Sequence, residues 1–156
     1  ERLQSLLKAF AALKCEWQTE LFIVSFANQP LILEVLRLVG ADKYFGSAQG
    51  DPDCRVFGWN ELWNSGHYHE NAAGCLSCSK GAFIAALMED RAWSKDRVLF
   101  VDDQLDNIES AIAVCRTYWV RTGTGLTMDE IRALQSTGFL GPHPGSEVPV
   151  VNLDTD

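Results

Sequence analysis

Two short stretches, LFIVSF (21–26) and VLFV (98–101), are apolar almost throughout and rich in β-branched residues. Neither shows the polar alternation of a strand with one wet face. Strands that read this way are covered on both sides, and that is the geometry of a parallel sheet flanked by helices. The segments between them fit. RLQSLLKAFAALK carries Leu3, Leu6, Leu7, Phe10 and Leu13 at helical spacing. LILEVLRLVG follows Pro30 and closes on Gly40, so a helix is expected between them. KGAFIAALMEDR, QLDNIESAIAVCR and TMDEIRALQSTG are also helical in pattern, the last with Thr127 as N-cap and Glu130 completing a capping box. TYWVRT reads as a further strand, and KYFGSA is compatible with a short one.

Strands alternating with amphipathic helices predict an α/β domain with a mainly parallel sheet. The whole chain, 1–156, is expected as a single domain. Residues 50–79 are the least regular part. They read as a loop-rich insertion or small cap, with a strand or hairpin near RVFGW, while GCLSC is compatible with a strand leading into SKG. FLGPHPGSE is a Gly/Pro-rich link before a final apolar run, VPVVNL.

Composition narrows the partners. The net charge of -8 argues against a nucleic-acid backbone or an anionic membrane surface. It leaves room for a small phosphorylated ligand, because a metal can supply local positive charge. No apolar run reaches the roughly 18 residues that span a bilayer, and no secretory signal is visible at the start. The chain lacks an initiator Met, which suggests a fragment or a processed product. Five cysteines, at 15, 54, 75, 78 and 115, form no small-scaffold pattern. Free thiols in a reducing compartment are expected, with the cytoplasm the natural setting, although composition alone does not exclude a secreted origin. Oligomeric state leaves no sign in the sequence.

In sheets of this kind the ligand site lies beyond the carboxyl ends of the strands. LFIVSF exits through Ser25 towards Asn28, VLFV through Asp102 and Asp103 towards Asp106 and Asn107, and VVNL through Asp154 and Asp156. If these strands are neighbours, one rim collects four or more carboxylates, which raise one another's pKa unless a cation intervenes. Mg²⁺ suits such a rim, since it takes oxygen ligands and bridges carboxylates to phosphate. Lys80, at a helix start, could balance the carboxylates and hold a phosphoryl group.

The order IVSFANQP, then SKG, then VLFVDDQLDNIESA resembles the haloacid dehalogenase-like (HAD) superfamily, mostly phosphohydrolases with a Rossmann-like, three-layer core. The resemblance covers roughly Arg2 to Thr122. It implies that Ser25 binds a phosphoryl oxygen, that Lys80 is the basic residue, and that Asp102 or Asp103 ligates Mg²⁺. The family's first motif, an apolar strand followed by Asp-x-Asp, normally precedes these. Nothing before Ser25 fits it, whereas VVNLDTD at the far end has its form. A circular permutation is therefore expected, which compact domains tolerate when their ends lie close together. On this reading Asp154 is the nucleophile and Asp156 the general acid/base. Asp154, the Asp156 main-chain carbonyl and Asp103 would hold the metal. The family's strand runs on into a flap that covers the site, and here the sequence stops at Asp156. The implied substrate is a phosphorylated small molecule or a phosphoprotein.

Plainer readings compete at each position. Asp154 and Asp156 could be a solvated tail. Asp102 and Asp103 could serve the following helix as an acidic N-terminus, and Ser25 could cap a helix. Asn107 reads as a turn or cap residue. A non-catalytic HAD-like module that binds a protein would fit the unusual motif order. A zinc site from His67, His69, Cys75 and Cys78 is a third reading, although His-x-His is not a standard structural spacing. The five tryptophans are expected to serve core and cover rather than as a stacking platform.

Overall fold

The computed structural model describes residues 2–15, 19–46, 53–66, 68–70, 76–121 and 125–136. Along the chain these form α1 (Arg2–Cys15), β1 (Ile23–Val24), α2 (Gln29–Val39), β2 (Val56–Phe57), α3 (Trp59–Asn64), β3 (Tyr68–Glu70), β4 (Leu76–Cys78), α4 (Lys80–Asp90), β5 (Leu99–Asp102), α5 (Leu105–Ala111), β6 (Arg116–Trp119) and α6 (Met128–Ser136). The α/β class read from the sequence is the class observed. None of the helices is long and apolar enough to cross a membrane among the described residues.

Local chemistry sets most boundaries. Pro30 lies in the first turn of α2, where its missing N–H costs nothing. Gly40 ends that helix at φ 70°, and its N–H turns back to the carbonyls of Arg37 and Leu36. The Ser79 hydroxyl accepts from the Ala82 N–H at the head of α4, 3.1 Å away. At α6 the expected capping box forms: the Glu130 N–H donates to Thr127 Oγ1 and the Thr127 N–H to Glu130 Oε2.

Two expectations fail locally. KYFGSA contains no strand among its described residues; Asp42–Tyr44 is instead a 3₁₀ turn. The cause is aromatic anchoring. Tyr44 and Phe45 both meet the Phe10 ring of α1 edge to face, at 6.0 and 5.4 Å, and Phe45 is buried. The helix read from QLDNIESAIAVCR stops at Ala111, and Arg116 already opens β6. The N–H groups of Val114 and Cys115 both turn back to the Ala111 carbonyl, and this tight turn drops Cys115 into the core.

Among the described residues there are three two-stranded sheets. β1 pairs in parallel with β2, β5 pairs in parallel with β6, and β3 and β4 form an antiparallel hairpin. RVFGW thus supplies β2 and GCLSC supplies β4, as expected. The helix α4 ties the two parallel pairs together. Its C-terminal end carries Arg91 and Trp93 against Phe22, just before β1. Its first residue, Lys80, reaches both Phe26, just after β1, and Asp102, the last residue of β5. Trp93 and Val98 also pack on the core cluster that holds Phe100. Both strands therefore run opposite to α4 and in the same direction as each other.

Between β1 and β5 no strand pairing exists among the described residues. The N–H groups of Ile23 and Ser25 bond to β2, so the alternate residue, Val24, turns its main chain the other way. Likewise Val98 and Asp102 accept from β6, which turns Leu99 and Val101 away from it. Among the described residues one core cluster is built on Ile84, Met88, Phe100, Ile108, Ala111 and Cys115, and another on Leu36, Ala41, Phe45 and Val56.

Candidate active site

The carboxyl ends of β1 and β5 meet at the head of α4. Lys80 stands at the first position of that helix, where the helix dipole disfavours a cation. A buried carboxylate offsets this: Lys80 Nζ lies 2.7 Å from Asp102 Oδ2, and both residues are only 8% exposed. The ammonium also faces the rings of Phe26 at 5.0 Å and Phe100 at 6.0 Å. The position of this helix head is fixed by Gly81. A Cβ there would stand 2.0 Å from the Ser110 carbonyl oxygen of α5, so only glycine lets α4 and α5 approach this closely. The Gly81 N–H donates to Ser110 Oγ across the same contact.

Asp102 is fully engaged by donors. Oδ2 takes Lys80, while Oδ1 accepts from the Gln104 N–H at 2.8 Å and from Asn107 Nδ2 at 3.0 Å. Burial alone would push its carboxyl up, but the bonds from Lys80, Asn107 and the Gln104 main chain outweigh it and hold the group below the usual carboxylate range. Asn107 is therefore a positioning residue for Asp102, a role its sequence context did not single out. The pattern Asp-x-x-x-x-Asn across a strand–helix turn was the available signal.

Asp103 points the other way in chemical terms. It is exposed, and its main-chain carbonyl accepts from Trp119 Nε1 at 3.2 Å. Asp106 is exposed as well. Ser25 is half-buried at the end of β1; its oxygen accepts the Ala27 N–H at 3.1 Å, and among the described residues its hydroxyl proton is left to donate. Asn28, not Ser25, stands at the N-cap of α2.

The sequence thus named Ser25, Lys80, Asp102 and Asp103, and the structure brings Lys80 and Asp102 into contact, with Ser25 and Asp103 at the adjoining strand ends. Asp154 and Asp156 lie outside the described residues. Among the described residues no group of three or more His, Cys, Asp or Glu is placed to hold a metal ion. Asp103 offers Mg²⁺ an exposed oxygen ligand, and the donors on Asp102 assign that carboxylate first to Lys80. A complete magnesium set would draw on Asp154 and Asp156.

For the zinc reading, His67 and Cys75 lie outside the described residues. The hairpin register sets residue 69 opposite Ser77 and Cys78 opposite Tyr68, so positions 69 and 78 fall on alternate faces of the ribbon. Cys78 is buried, and burial raises its thiol pKa, which disfavours a thiolate ligand. Cys115 is likewise a core thiol, pushed up to about 11 mainly by burial. Cys15, Cys54, Cys78 and Cys115 are all free.

The tryptophans divide. Trp93 and Trp119 pack on the core, as expected, but Trp59 and Trp63 stand out, 42% and 43% exposed. Comparison with protein families, curated proteins and solved structures finds no match to this chain. The site rests on its own geometry.

Proposed function

We propose that this chain is a HAD-like, Mg²⁺-dependent phosphohydrolase that cleaves a phosphomonoester through a carboxylate nucleophile. The observation that carries the reading is the buried Lys80–Asp102 pair at a rim shared by two parallel strand pairs, with Ser25 at the end of the neighbouring strand. Support also comes from the edges of β1 and β5 that face away from β2 and β6 and pair with no strand among the described residues. They are what a three-layer sandwich would present to one more parallel strand, and VPVVNL (148–153) has the composition for it.

Asp154 would attack phosphorus in line and carry the phosphoryl group as an acyl phosphate. Asp156 would protonate the departing oxygen, then take a proton from the attacking water. Lys80 would stabilise the equatorial oxygens electrostatically, held in place by Asp102 and, through it, by Asn107. Ser25 would donate a hydrogen bond to one of them. Mg²⁺, held by Asp103 with Asp154 and the Asp156 carbonyl, would neutralise charge on the phosphate. The substrate would be a phosphorylated small molecule or a phosphoprotein, and the free thiols fit a cytoplasmic setting.

The test is Mg²⁺-dependent release of phosphate from a generic aryl phosphate. Asp154→Asn should abolish it with the fold retained by circular dichroism. Turnover that survives this substitution places the nucleophile elsewhere. A second reading, a non-catalytic module that binds a protein, draws on α2, where Leu31, Val35 and Leu38 are 60%, 50% and 70% exposed in one stripe. Absence of turnover with any phosphoester, together with absence of Mg²⁺ binding, favours that module.

A further inference from the structure

Three large aromatic side chains stand in water beside the head of α4. Phe26, Trp59 and Trp63 are 41%, 42% and 43% exposed. Phe26 meets Trp59 edge to face at 5.9 Å, and Trp59 stacks on Trp63 at 5.4 Å with 22° between planes. Phe26 is also the ring 5.0 Å from Lys80 Nζ. The rings therefore form a ledge that starts at the ammonium and runs outward.

The ledge is rigidly founded. Trp59 and Trp63 lie one helical turn apart on α3, and beside them Leu62 is buried at 1%. The Trp59 N–H donates to the Ala27 carbonyl at 2.9 Å, which ties the start of α3 to the loop that carries Phe26. Gly58 allows that contact, since a Cβ there would lie 2.5 Å from the Gln29 nitrogen. Three of the polar side chains around it are engaged by main chain or donate to it. Gln29 Nε2 donates to the Val56 carbonyl at 2.6 Å, Glu61 accepts from the Gly58 N–H, and the Ser65 hydroxyl donates to the Leu62 carbonyl. Exposed amides remain at Asn28, Asn60 and Asn64. What the ledge offers is chiefly ring faces and edges.

We infer that Phe26, Trp59 and Trp63 form the leaving-group subsite and select phosphomonoesters of aromatic alcohols. The inference rests on the phosphohydrolase reading. An aryl ester places its ring one bridging oxygen from phosphorus, so a phosphate held near Lys80 brings that ring against Phe26 and the indole pair. Offset or edge-to-face contact with these rings is favourable beyond area alone. A sugar phosphate would need several hydroxyl partners, and three of the polar side chains beside the ledge, Gln29, Glu61 and Ser65, are already engaged.

The test measures binding as well as turnover, on the full chain with Mg²⁺. Affinities for benzylphosphonate and methylphosphonate, which are not hydrolysed, are compared by calorimetry. The unaltered protein should bind benzylphosphonate about tenfold tighter. Trp59→Ala and Trp63→Ala should narrow that ratio below about threefold, and Trp59→Phe should restore part of it. Equal affinity for the two phosphonates, or a ratio that neither substitution moves, overturns the subsite. So does faster turnover, at limiting substrate, of glucose 6-phosphate than of 1-naphthyl phosphate. A protein that binds benzylphosphonate through the ledge but cleaves no ester keeps the subsite and loses the hydrolase; one that cleaves esters with an unmoved ratio does the reverse.

Discussion

The two strand ends that meet at the head of α4 are built on opposite principles. At β5 the chemistry is polar and enclosed: Lys80 and Asp102 are buried against each other, and Asp102 has three donors. At β1 it is apolar and open, with Phe26, Trp59 and Trp63 in water. A buried ion pair gives little net stability but punishes the loss of one partner. An exposed ring cluster can be cut back with small cost to the fold. The first arrangement fixes a charge in position; the second leaves surface for something else to cover.

The largest expected effect comes from splitting the ion pair. Lys80→Met should lower stability by about 3–5 kcal/mol in urea unfolding, because Asp102 is left buried without its cation. The double variant Lys80→Met/Asp102→Leu should regain much of this while remaining without phosphatase activity. Regained stability with activity intact would remove the pair from the mechanism. Next is Gly81→Ala, whose Cβ would sit 2.0 Å from the Ser110 carbonyl. A loss of about 1–3 kcal/mol or more is expected, read as a fall in Tm, as α4 is forced off α5.

Acid titration sharpens the same contrast. The Asp102 carboxyl is held below its ordinary value of 3.8. Its contribution is complete above that value and is lost as pH falls through the lower folded pKa. In Lys80→Met burial acts on Asp102 without its cation, so the sign reverses: acid should relieve the buried charge, and the variant should lose less stability than the unaltered protein as pH falls. Unfolding midpoints measured between about pH 2 and pH 6 check the sign. Smaller again is Thr127→Ala, which removes the α6 cap and should cost about 1 kcal/mol. Smallest is Trp63→Ala, expected within about 0.5 kcal/mol of the unaltered protein. A large loss there would make the ledge a structural element.

The enclosed corner was the more legible in sequence. A doubly buried strand ending in Asp102 and Asp103, with Lys80 at a helix start, announces itself by residue type and order. What the sequence does not contain is the pairing: Lys80 lies 22 residues before Asp102, and only the closeness of α4 and α5 at Gly81 brings them together. Nothing in the residues around Gly81 marks it as that contact. KYFGSA misled because its aromatic content favours a strand in isolation, while contact with Phe10 decides otherwise. The α5 boundary was missed because IAVC keeps an apolar pattern that a turn can use as well as a helix. The open corner was unreadable for a different reason. Tryptophan is usually partly covered, and nothing in WNELWN tells which face of α3 meets the core until Leu62 is seen to be buried.

The outward-turned main chain of Val24, Leu99 and Val101 carries a liability as well as an opportunity. Unsatisfied ladder groups are a template for any extended peptide, including the same segment from a neighbouring molecule. On the reading that VPVVNL of the same chain fills this slot, a chain truncated before Val148 should be prone to cross-chain β-pairing in concentrated solution, and adding a short peptide of the sequence VPVVNL should suppress it by occupying the slot first.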